Sequence, residues 1–151
     1  MIKVICVGKI KEQYFKDSIN EYLKRLQKYT KIEIIEVQDS KTDNPNQAIL
    51  EEEELIIKHL KEKDFIISLA IEGKQYNSIE FSKIIENTLI ISSNIVFIIG
   101  GSCGLSEKIK EKSNKIISFS KQTFPHQLFR IMLLEQIYRA FRIINNETYH
   151  K

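Results

Sequence analysis

Short apolar runs alternate along this chain with longer amphipathic stretches. Five of the short runs have the β-branched, apolar character of strands: Ile2–Val7, Ile32–Val37, Phe65–Ile71, Ile95–Ile99 and Lys115–Phe119. The stretches that follow them repeat with helical spacing: Glu12–Lys28, Asn46–Leu60, Asn77–Leu89, Ser106–Glu111 and Gln127–Ile144. Strict alternation of strand and helix is typical of a parallel sheet covered on both faces, so the pattern predicts one α/β domain over residues 1–151.

Two runs have the composition of central strands. Phe65–Ile71 and Ile95–Ile99 are almost continuously apolar, as expected of strands buried on both faces. Asp39–Asn46 is the one linker-like segment, and it is too short to divide two domains. The four acids Glu51–Glu54 are predicted to form a solvated helix end, because the positive end of the helix dipole favours carboxylates near the start of a helix.

Composition narrows the possible classes. The chain has 151 residues, of which 42% are hydrophobic and 28% charged, which is ordinary for a globular domain. No apolar run approaches the ~20 residues that cross a bilayer, and the first residues indicate a strand rather than a signal peptide, so a cytoplasmic location is expected. Cys6 and Cys103 lack a CxxC partner, which argues against both a disulfide framework and a metal site.

The basic charge is concentrated in the C-terminal third. The whole chain carries a net charge of +3, yet residues 105–151 hold nine Lys/Arg against four Asp/Glu, a net of +5. Residues 1–104 therefore carry a net charge of −2. A basic segment on a nearly neutral body indicates a polyanionic partner.

Ligands of open parallel sheets bind beyond the carboxyl ends of the strands. Three such ends carry unusual residues here: Leu69–Lys74, Gly100–Leu105 and Phe119–His126. The glycine turn matches neither GxGxxG nor Gly-Lys-Ser/Thr, so it is not predicted to cradle phosphate. The last loop surrounds two phenylalanines with hydroxyl and amide groups, a mixture that suits a flat heterocycle held between apolar walls.

The final predicted helix and the C-terminus carry the remaining candidates. The helix has more apolar surface than one sheet face requires, so we expect a partner subunit to cover part of it. Glu135 and Arg139 are spaced to pair on that helix. His126 could alternatively be a residue at the start of a helix with no role in function. Tyr149-His150-Lys151 could alternatively be a frayed chain end.

Several motifs together resemble one family. They are Val7-Gly8-Lys9, Ile98-Ile99-Gly100-Gly101-Ser102-x-Gly104-Leu105, Ser118-Phe119-Ser120-Lys121-x-Thr123-Phe124-Pro125-His126-Gln127, Glu135-Gln136-Ile137-Tyr138-Arg139-Ala140 and the closing Tyr149-His150-Lys151. In this order, over essentially the whole chain, they resemble the RlmH family of SPOUT-class methyltransferases. That family acts on pseudouridine 1915 of bacterial 23S ribosomal RNA.

The resemblance implies a fold, an oligomeric state, a cofactor and a substrate that the residues alone do not predict. It implies a C-terminal trefoil knot, a homodimer whose active site draws on both subunits, S-adenosyl-L-methionine as cofactor and no metal. It also implies methylation of pseudouridine N3, with the assembled ribosome as the expected substrate. The implied cofactor contacts are Leu69, Gly100, Phe119, Ser120, Lys121, Gln122, Thr123 and Phe124. Neither the Cys103 nor the Gln122 side chain is given a role.

Methyl transfer to the imide N3 requires loss of a proton, and histidine accepts protons near neutral pH. His126 and His150 are the candidate bases, with His150 favoured and expected to reach across the dimer. RNA contacts are assigned to Arg130, Arg139, Arg142, Tyr149 and Lys151, with Lys121 as a further phosphate contact and Tyr149 stacking on the target base.

Three alternatives stay open at this point. A methyltransferase of the same class could act on another RNA site, although the closing Tyr149-His150-Lys151 argues against it. A non-enzymatic α/β binding module would have no cofactor site. A flavodoxin-like nucleotide binder would need a hydroxyl-rich first loop, which residues Gly8–Gln13 lack.

Overall fold

The computed structural model describes residues 1–151 as five strands and five helices in strict alternation. The strands are β1 Ile2–Val7, β2 Ile32–Val37, β3 Phe65–Gln75, β4 Ile95–Ile99 and β5 Lys115–Ser118. The helices are α1 Gln13–Leu26, α2 Pro45–Ile57, α3 Ser78–Ile91, α4 Glu107–Lys112 and α5 His126–Ile144. Every predicted element is present, and the α/β prediction is confirmed.

All strands are parallel, in the order β2-β1-β4-β3-β5. β1 and β4 lie inside the sheet, and every residue of both is buried. Alternate side chains of β1 enter two separate cores: Ile2, Val4 and Cys6 pack with α1, α3 and α5, whereas Ile5 and Val7 pack with α2 and α4. The sheet is therefore covered on both faces, as alternation predicts.

Side-chain caps begin three of the helices. Asn77 and Glu80 form a reciprocal capping box at α3, as the sequence indicates. Asn44 accepts hydrogen bonds from two backbone amides at the start of α2, with Pro45 at the first helical position. Ser106 caps α4 by accepting from the Ile109 amide. Each of these helices follows a strand of the parallel sheet, so its capped start lies at the carboxyl edge.

β3 runs further than predicted and breaks its pairing with β5. Leu69 and Lys74 both lie opposite Ile117, so residues 70–73 leave the regular ladder. Gly73 touches the β5 backbone here, and a Cβ at Gly73 would lie 2.7 Å from the Ile116 carbonyl. Glycine is thus required by close approach, and the displaced residues are free to line a site.

The acidic run on α2 is not a solvated helix end. Glu51–Glu54 lie in the middle of the helix, and Glu52 and Glu53 are buried. The reason is tertiary: the segment after β2 folds back on α2, where Ser40 donates its backbone N–H to Glu52 and its hydroxyl to Glu51. The prediction from local position was wrong.

Most of the apolar surface of α5 is covered within the chain. α5 packs against both α1 and α3, and Leu133, Leu134 and Ile137 are fully buried. Leu128, in its first turn, remains 37% exposed. Little apolar surface of α5 is therefore left for a partner, and that a partner covers this part stays a prediction. The homodimer and the trefoil knot stay predictions. None of the five helices is long and apolar enough to span a bilayer.

Candidate active site

One cavity of about 740 Å³ opens at the carboxyl ends of β3, β4 and β5. It joins the three segments singled out in the sequence, together with the first turn of α5 and Lys110 of α4. Its lining includes Leu69, Gly100, Phe119, Ser120, Gln122, Thr123 and Phe124. Seven of the eight implied cofactor residues are thus brought together, while Lys121 is exposed and lies outside the lining.

The glycine turn after β4 is tight enough to require glycine at its first position. A Cβ on Gly100 would lie 2.8 Å from the Gly104 carbonyl oxygen and 3.0 Å from the Leu105 side chain. Gly104 has φ +84°, which glycine adopts without strain, and donates its N–H to the Gly101 carbonyl at 3.1 Å. At its glycines, the turn therefore presents backbone to the cavity.

An aromatic wall stands on the opposite side. Phe119 is half-buried, with its ring centroid 5.0 Å from Phe129 and 6.0 Å from Phe81. Ser118 donates to the Ser120 carbonyl at 2.9 Å, and Ser120 accepts from the Gln122 amide at 3.0 Å. These bonds hold the loop in shape, so the hydroxyls predicted to face a ligand also fix the loop itself.

His126 is the histidine of the cavity lining. It begins α5, and its Nε2 lies 3.2 Å from where a Cβ on Gly8 would stand. Gly8 has φ +90° and directly follows β1, so the close approach and the backbone angle both favour glycine there. His126 is therefore held between the first strand and the cavity.

Arg130, predicted to contact RNA, is buried inside the chain. It is 1% exposed, and its guanidinium donates to Glu36 at 2.8 Å and to the Gly8 carbonyl at 3.1 Å. Glu36 also accepts from the Ile10 amide at 2.9 Å. A buried arginine cannot reach a phosphate, so Arg130 instead ties α5 to β2 and to the loop after β1.

The C-terminus is folded against α5 rather than frayed. The Tyr149 ring lies 5.0 Å from that of Tyr138, and its hydroxyl donates to Glu135 at 3.2 Å. Arg139 lies over the Tyr149 ring at 4.7 Å, and its guanidinium is 3.2 Å from His150 Nδ1. The predicted Glu135–Arg139 pair is present at 2.7 Å. His150 and Lys151 are exposed, and neither lines the cavity of its own chain.

The two arginines of this region are already paired within the chain. The hydrogen bond that Arg139 donates to Glu135 raises the pKa of Arg139. Arg142 contacts Glu147 at 2.5 Å and donates to the Thr148 carbonyl at 2.8 Å. Both arginine side chains keep about a quarter of their surface exposed, at 25% and 23%. They can meet a polyanion at the surface, which Arg130 cannot.

Three charged residues at or beneath the site were not predicted to act there. Glu72 and Lys110 form an ion pair in the cavity lining, and the Lys110 ammonium lowers the pKa of Glu72. Glu52 lies under the glycine turn, where a Cβ on Gly101 would be 3.1 Å from its carboxyl oxygens. Glu72 is far from Lys110 in the sequence, and Glu52 is far from Gly101, so no local pattern could have identified these contacts.

Comparison with known proteins settles the family. The family model described as "Predicted SPOUT methyltransferase" matches residues 1–150. The chain belongs to the SPOUT methyltransferase family. This confirms the predicted enzyme class, and with it S-adenosyl-L-methionine as the methyl donor.

Curated relatives match over nearly their full length. "Ribosomal RNA large subunit methyltransferase H" of Clostridium botulinum strain Kyoto is 54% identical, covering 99% of both chains. The protein of that name from strain Loch Maree is 52% identical with the same coverage. A solved methylase family protein from Haemophilus influenzae shares the fold, with a TM-score of 0.57 at 12% identity, over 99% of this chain and 70% of that one.

Proposed function

We propose that this chain transfers the methyl group of S-adenosyl-L-methionine to large-subunit ribosomal RNA, at N3 of the pseudouridine equivalent to 1915 in bacterial 23S RNA. The observation that carries the proposal is the cavity at the glycine turn in a chain 54% identical to curated large-subunit RNA methyltransferases. The assembled ribosome is the proposed substrate particle, and the cytoplasm the proposed location.

The cavity residues fit this methyl donor. The turn from Gly100 leaves room for backbone contact where any Cβ would collide with Gly104. Phe119 and Phe124 supply apolar walls for a flat base. S-adenosyl-L-methionine has no phosphate, which agrees with a glycine turn that lacks a phosphate-binding motif. The proposed cofactor contacts are Leu69, Gly100, Phe119, Ser120, Gln122, Thr123 and Phe124, with Lys121 contributing from outside the lining.

When bound, the sulfonium supplies a methyl group for direct in-line transfer, without a metal or a covalent enzyme intermediate. The chain's own task is to exclude water from the cavity and to orient the acceptor base. A proton must also leave N3. His126 is positioned beside the cavity of its own chain, and the exposed His150 is proposed to enter the cavity of a partner subunit.

The proposed homodimer has support from exposed apolar side chains. Tyr14, Ile79 and Leu128 lie in the first turns of three helices, and Ile71 lies in the displaced part of β3. Because each helix follows a strand, these positions all surround the carboxyl edge of the sheet, where the cavity opens. A partner that covers this edge would bring its own C-terminus close to the cavity.

The surface contacts with RNA are assigned to Arg139, Arg142, Tyr149 and Lys151. Both arginines retain exposed surface beside the cationic C-terminal residue. They would meet phosphates, which fix position without reading sequence. Tyr149 is engaged by Tyr138 and Glu135, so stacking on the base requires the tail to leave this packing.

The decisive experiment is methylation of ribosomes from a strain that lacks the modification. Wild-type protein and labelled S-adenosyl-L-methionine should produce one N3-methylpseudouridine, located by mass spectrometry of RNA fragments. Free 23S RNA and separated subunits serve as comparison substrates. Methylation of a different nucleotide would support another activity of the same class, and cofactor binding without transfer to any RNA would refute the substrate proposal.

A second experiment tests the shared site. Gly100→Val should abolish cofactor binding in the cavity, and His150→Ala should abolish the contribution of the C-terminal tail to transfer. If His150 acts across the dimer, mixing the two inactive proteins should restore about a quarter of wild-type activity, because half of randomly exchanged dimers are heterodimers with one intact site. No restoration after verified exchange would rule out action across the dimer.

A further inference from the structure

A buried carboxyl lies directly beneath the cavity. Glu52 of α2 is 4% exposed. A Cβ on Gly101 would stand 3.1 Å from both of its carboxyl oxygens and 3.0 Å from Val7, so Glu52 packs against the glycine turn from behind. Gly101 lines the cavity on the other side. One residue without a side chain therefore separates the carboxyl from whatever fills the cavity.

The hydrogen bonding of Glu52 is incomplete. Its Oε1 accepts from the Ser40 amide at 3.2 Å, whereas its Oε2 is buried without a partner. The neighbouring acids differ: Glu51 accepts from the Ser40 hydroxyl at 2.5 Å, and Glu53 forms an ion pair with Lys108 Nζ at 3.8 Å. Buried polar atoms without a partner are rare in native proteins and call for an explanation.

The charges around Glu52 are mostly negative. Asp39 faces it from the segment after β2, Glu51 and Glu53 flank it on α2, and Lys108 of α4 is paired with Glu53. Val7 and Gly101, which touch it from β1 and the glycine turn, are uncharged. Burial, followed by Asp39 and Glu51, raises the pKa of Glu52 to about 7. Both protonation states are therefore populated near neutral pH.

Building on the proposed function, we propose that Glu52 is a specificity residue that acts through Gly101 and favours the cationic methyl donor over its neutral-sulfur product. Methyl transfer converts a sulfonium to a thioether, so the ligand loses one positive charge at this centre. A carboxylate behind a thin, water-poor wall attracts the sulfonium and not the thioether. After transfer, this difference favours exchange of product for fresh donor.

The proposal has a defined linkage to protons. A cation in the cavity stabilises the deprotonated carboxyl, so binding of the donor should release protons from Glu52 near neutral pH. Affinity for the donor should therefore rise as pH increases through this range. A neighbouring charge typically changes such an equilibrium by roughly one pKa unit, which is about tenfold. Product affinity should lack this component.

Calorimetric titration with S-adenosylmethionine and S-adenosylhomocysteine at pH 6, 7 and 8 tests the idea without any activity assay. In wild type, the ratio of donor to product affinity should rise about fivefold from pH 6 to pH 8, because this range covers most but not all of the tenfold limit. Glu52→Gln keeps the shape of the side chain but cannot titrate, so its rise in the ratio of donor to product affinity should be smaller by about the same factor. Glu53→Gln is the matched control, because Glu53 is the adjacent paired acid, and should behave as wild type.

Titration of the ligands' own amino groups is common to all three proteins and cancels in the comparison. Identical pH dependence in wild type and Glu52→Gln would overturn the proposal, as would equal changes in the affinities of donor and product, which would make Glu52 a support of the turn. Absence of binding of both ligands to wild type would instead overturn the proposed function.

A measurement on wild type alone covers the case in which Glu52→Gln does not fold. Binding enthalpies at pH 7 in buffers with different ionisation enthalpies report the protons released on binding. Donor binding should release more protons than product binding, after correction for the ionisation of each free ligand. Equal release for the two ligands would overturn the proposal.

Discussion

A single methyl group at Gly100 should separate cofactor binding from folding. In Gly100→Ala, the new Cβ would lie 2.8 Å from the Gly104 carbonyl oxygen and 2.9 Å from its carbonyl carbon. Both are backbone atoms, so no side-chain rotation can relieve the overlap. The turn must therefore shift by several tenths of an ångström in the part that lines the cavity.

The magnitude follows from the cost of such overlap. Forcing extra methyl groups into a packed site costs typically about 1–3 kcal/mol. In the free protein the turn can relax toward solvent, whereas a bound ligand requires the original backbone positions. The cost then falls on binding, which corresponds to a roughly 5- to 150-fold rise in Kd for S-adenosyl-L-methionine. Gly100→Val should exceed this range.

Isothermal titration calorimetry measures the Kd, and circular dichroism checks that the fold persists. Cys103→Ala is the matched control: Cys103 is exposed and lines the cavity from the same turn, but no cofactor contact is assigned to its side chain, so the Kd should stay near wild type. Wild-type affinity in a folded Gly100→Val protein would refute the placement of the cofactor at this turn. Loss of binding in Cys103→Ala as well would show that the turn is sensitive to any change.

Four further predictions follow from particular contacts. Arg130→Met should destabilise the chain by about 2–4 kcal/mol in urea titration, because Glu36 and the Gly8 carbonyl lose their donor, and a folded variant should keep its salt-dependent RNA affinity. Burial raises the pKa of Glu52 from 4.5 to about 7, so the stability contributed by the protonated carboxyl is complete below pH 4.5 and is lost as pH rises toward 7. In urea titrations, the free energy of unfolding should therefore fall between pH 5 and pH 8 by up to about 3 kcal/mol less in Glu52→Gln than in wild type. Light scattering should give about twice the 17.7 kDa chain mass, and a stable monomer at micromolar concentration would refute the dimer. Deletion of Tyr149–Lys151 should leave cofactor affinity near wild type and abolish transfer to ribosomes, and His150→Ala alone should slow single-turnover transfer by at least about 10²-fold if it is the base; full activity of the truncated protein would refute a role for the tail.

Hydrophobic periodicity was sufficient for the elements because it is a local property. β1, β2 and β4 have the bounds that the apolar runs predict, and the capping box at Asn77 was visible as a short motif. The ends of β3 and β5 differ, because pairing between strands decides where a strand stops. Residues 70–73 leave the ladder only when β5 lies alongside, as the approach of Gly73 to Ile116 shows.

The three strand ends were also predictable from sequence, because parallel topology places them at one edge of the sheet. Seven of the eight implied cofactor positions line the same cavity for this reason. The side chain of Lys121 points elsewhere, a detail of loop conformation that no periodic pattern describes. The frayed C-terminus suggested by its position is replaced by packing on Tyr138 and Glu135, which lie on another element.

Sequence by itself therefore determined the alternating elements, the parallel sheet and the edge at which ligands bind, since each depends on residues close together in the chain. Only the tertiary structure decided which charges are buried. Arg130 meets Glu36 across 94 residues and Gly8 across 122, and Glu52 meets Gly101 from a different helix. A charged side chain looks the same in sequence whether solvent or a folded partner surrounds it, and its surroundings set its protonation, its reach and its role.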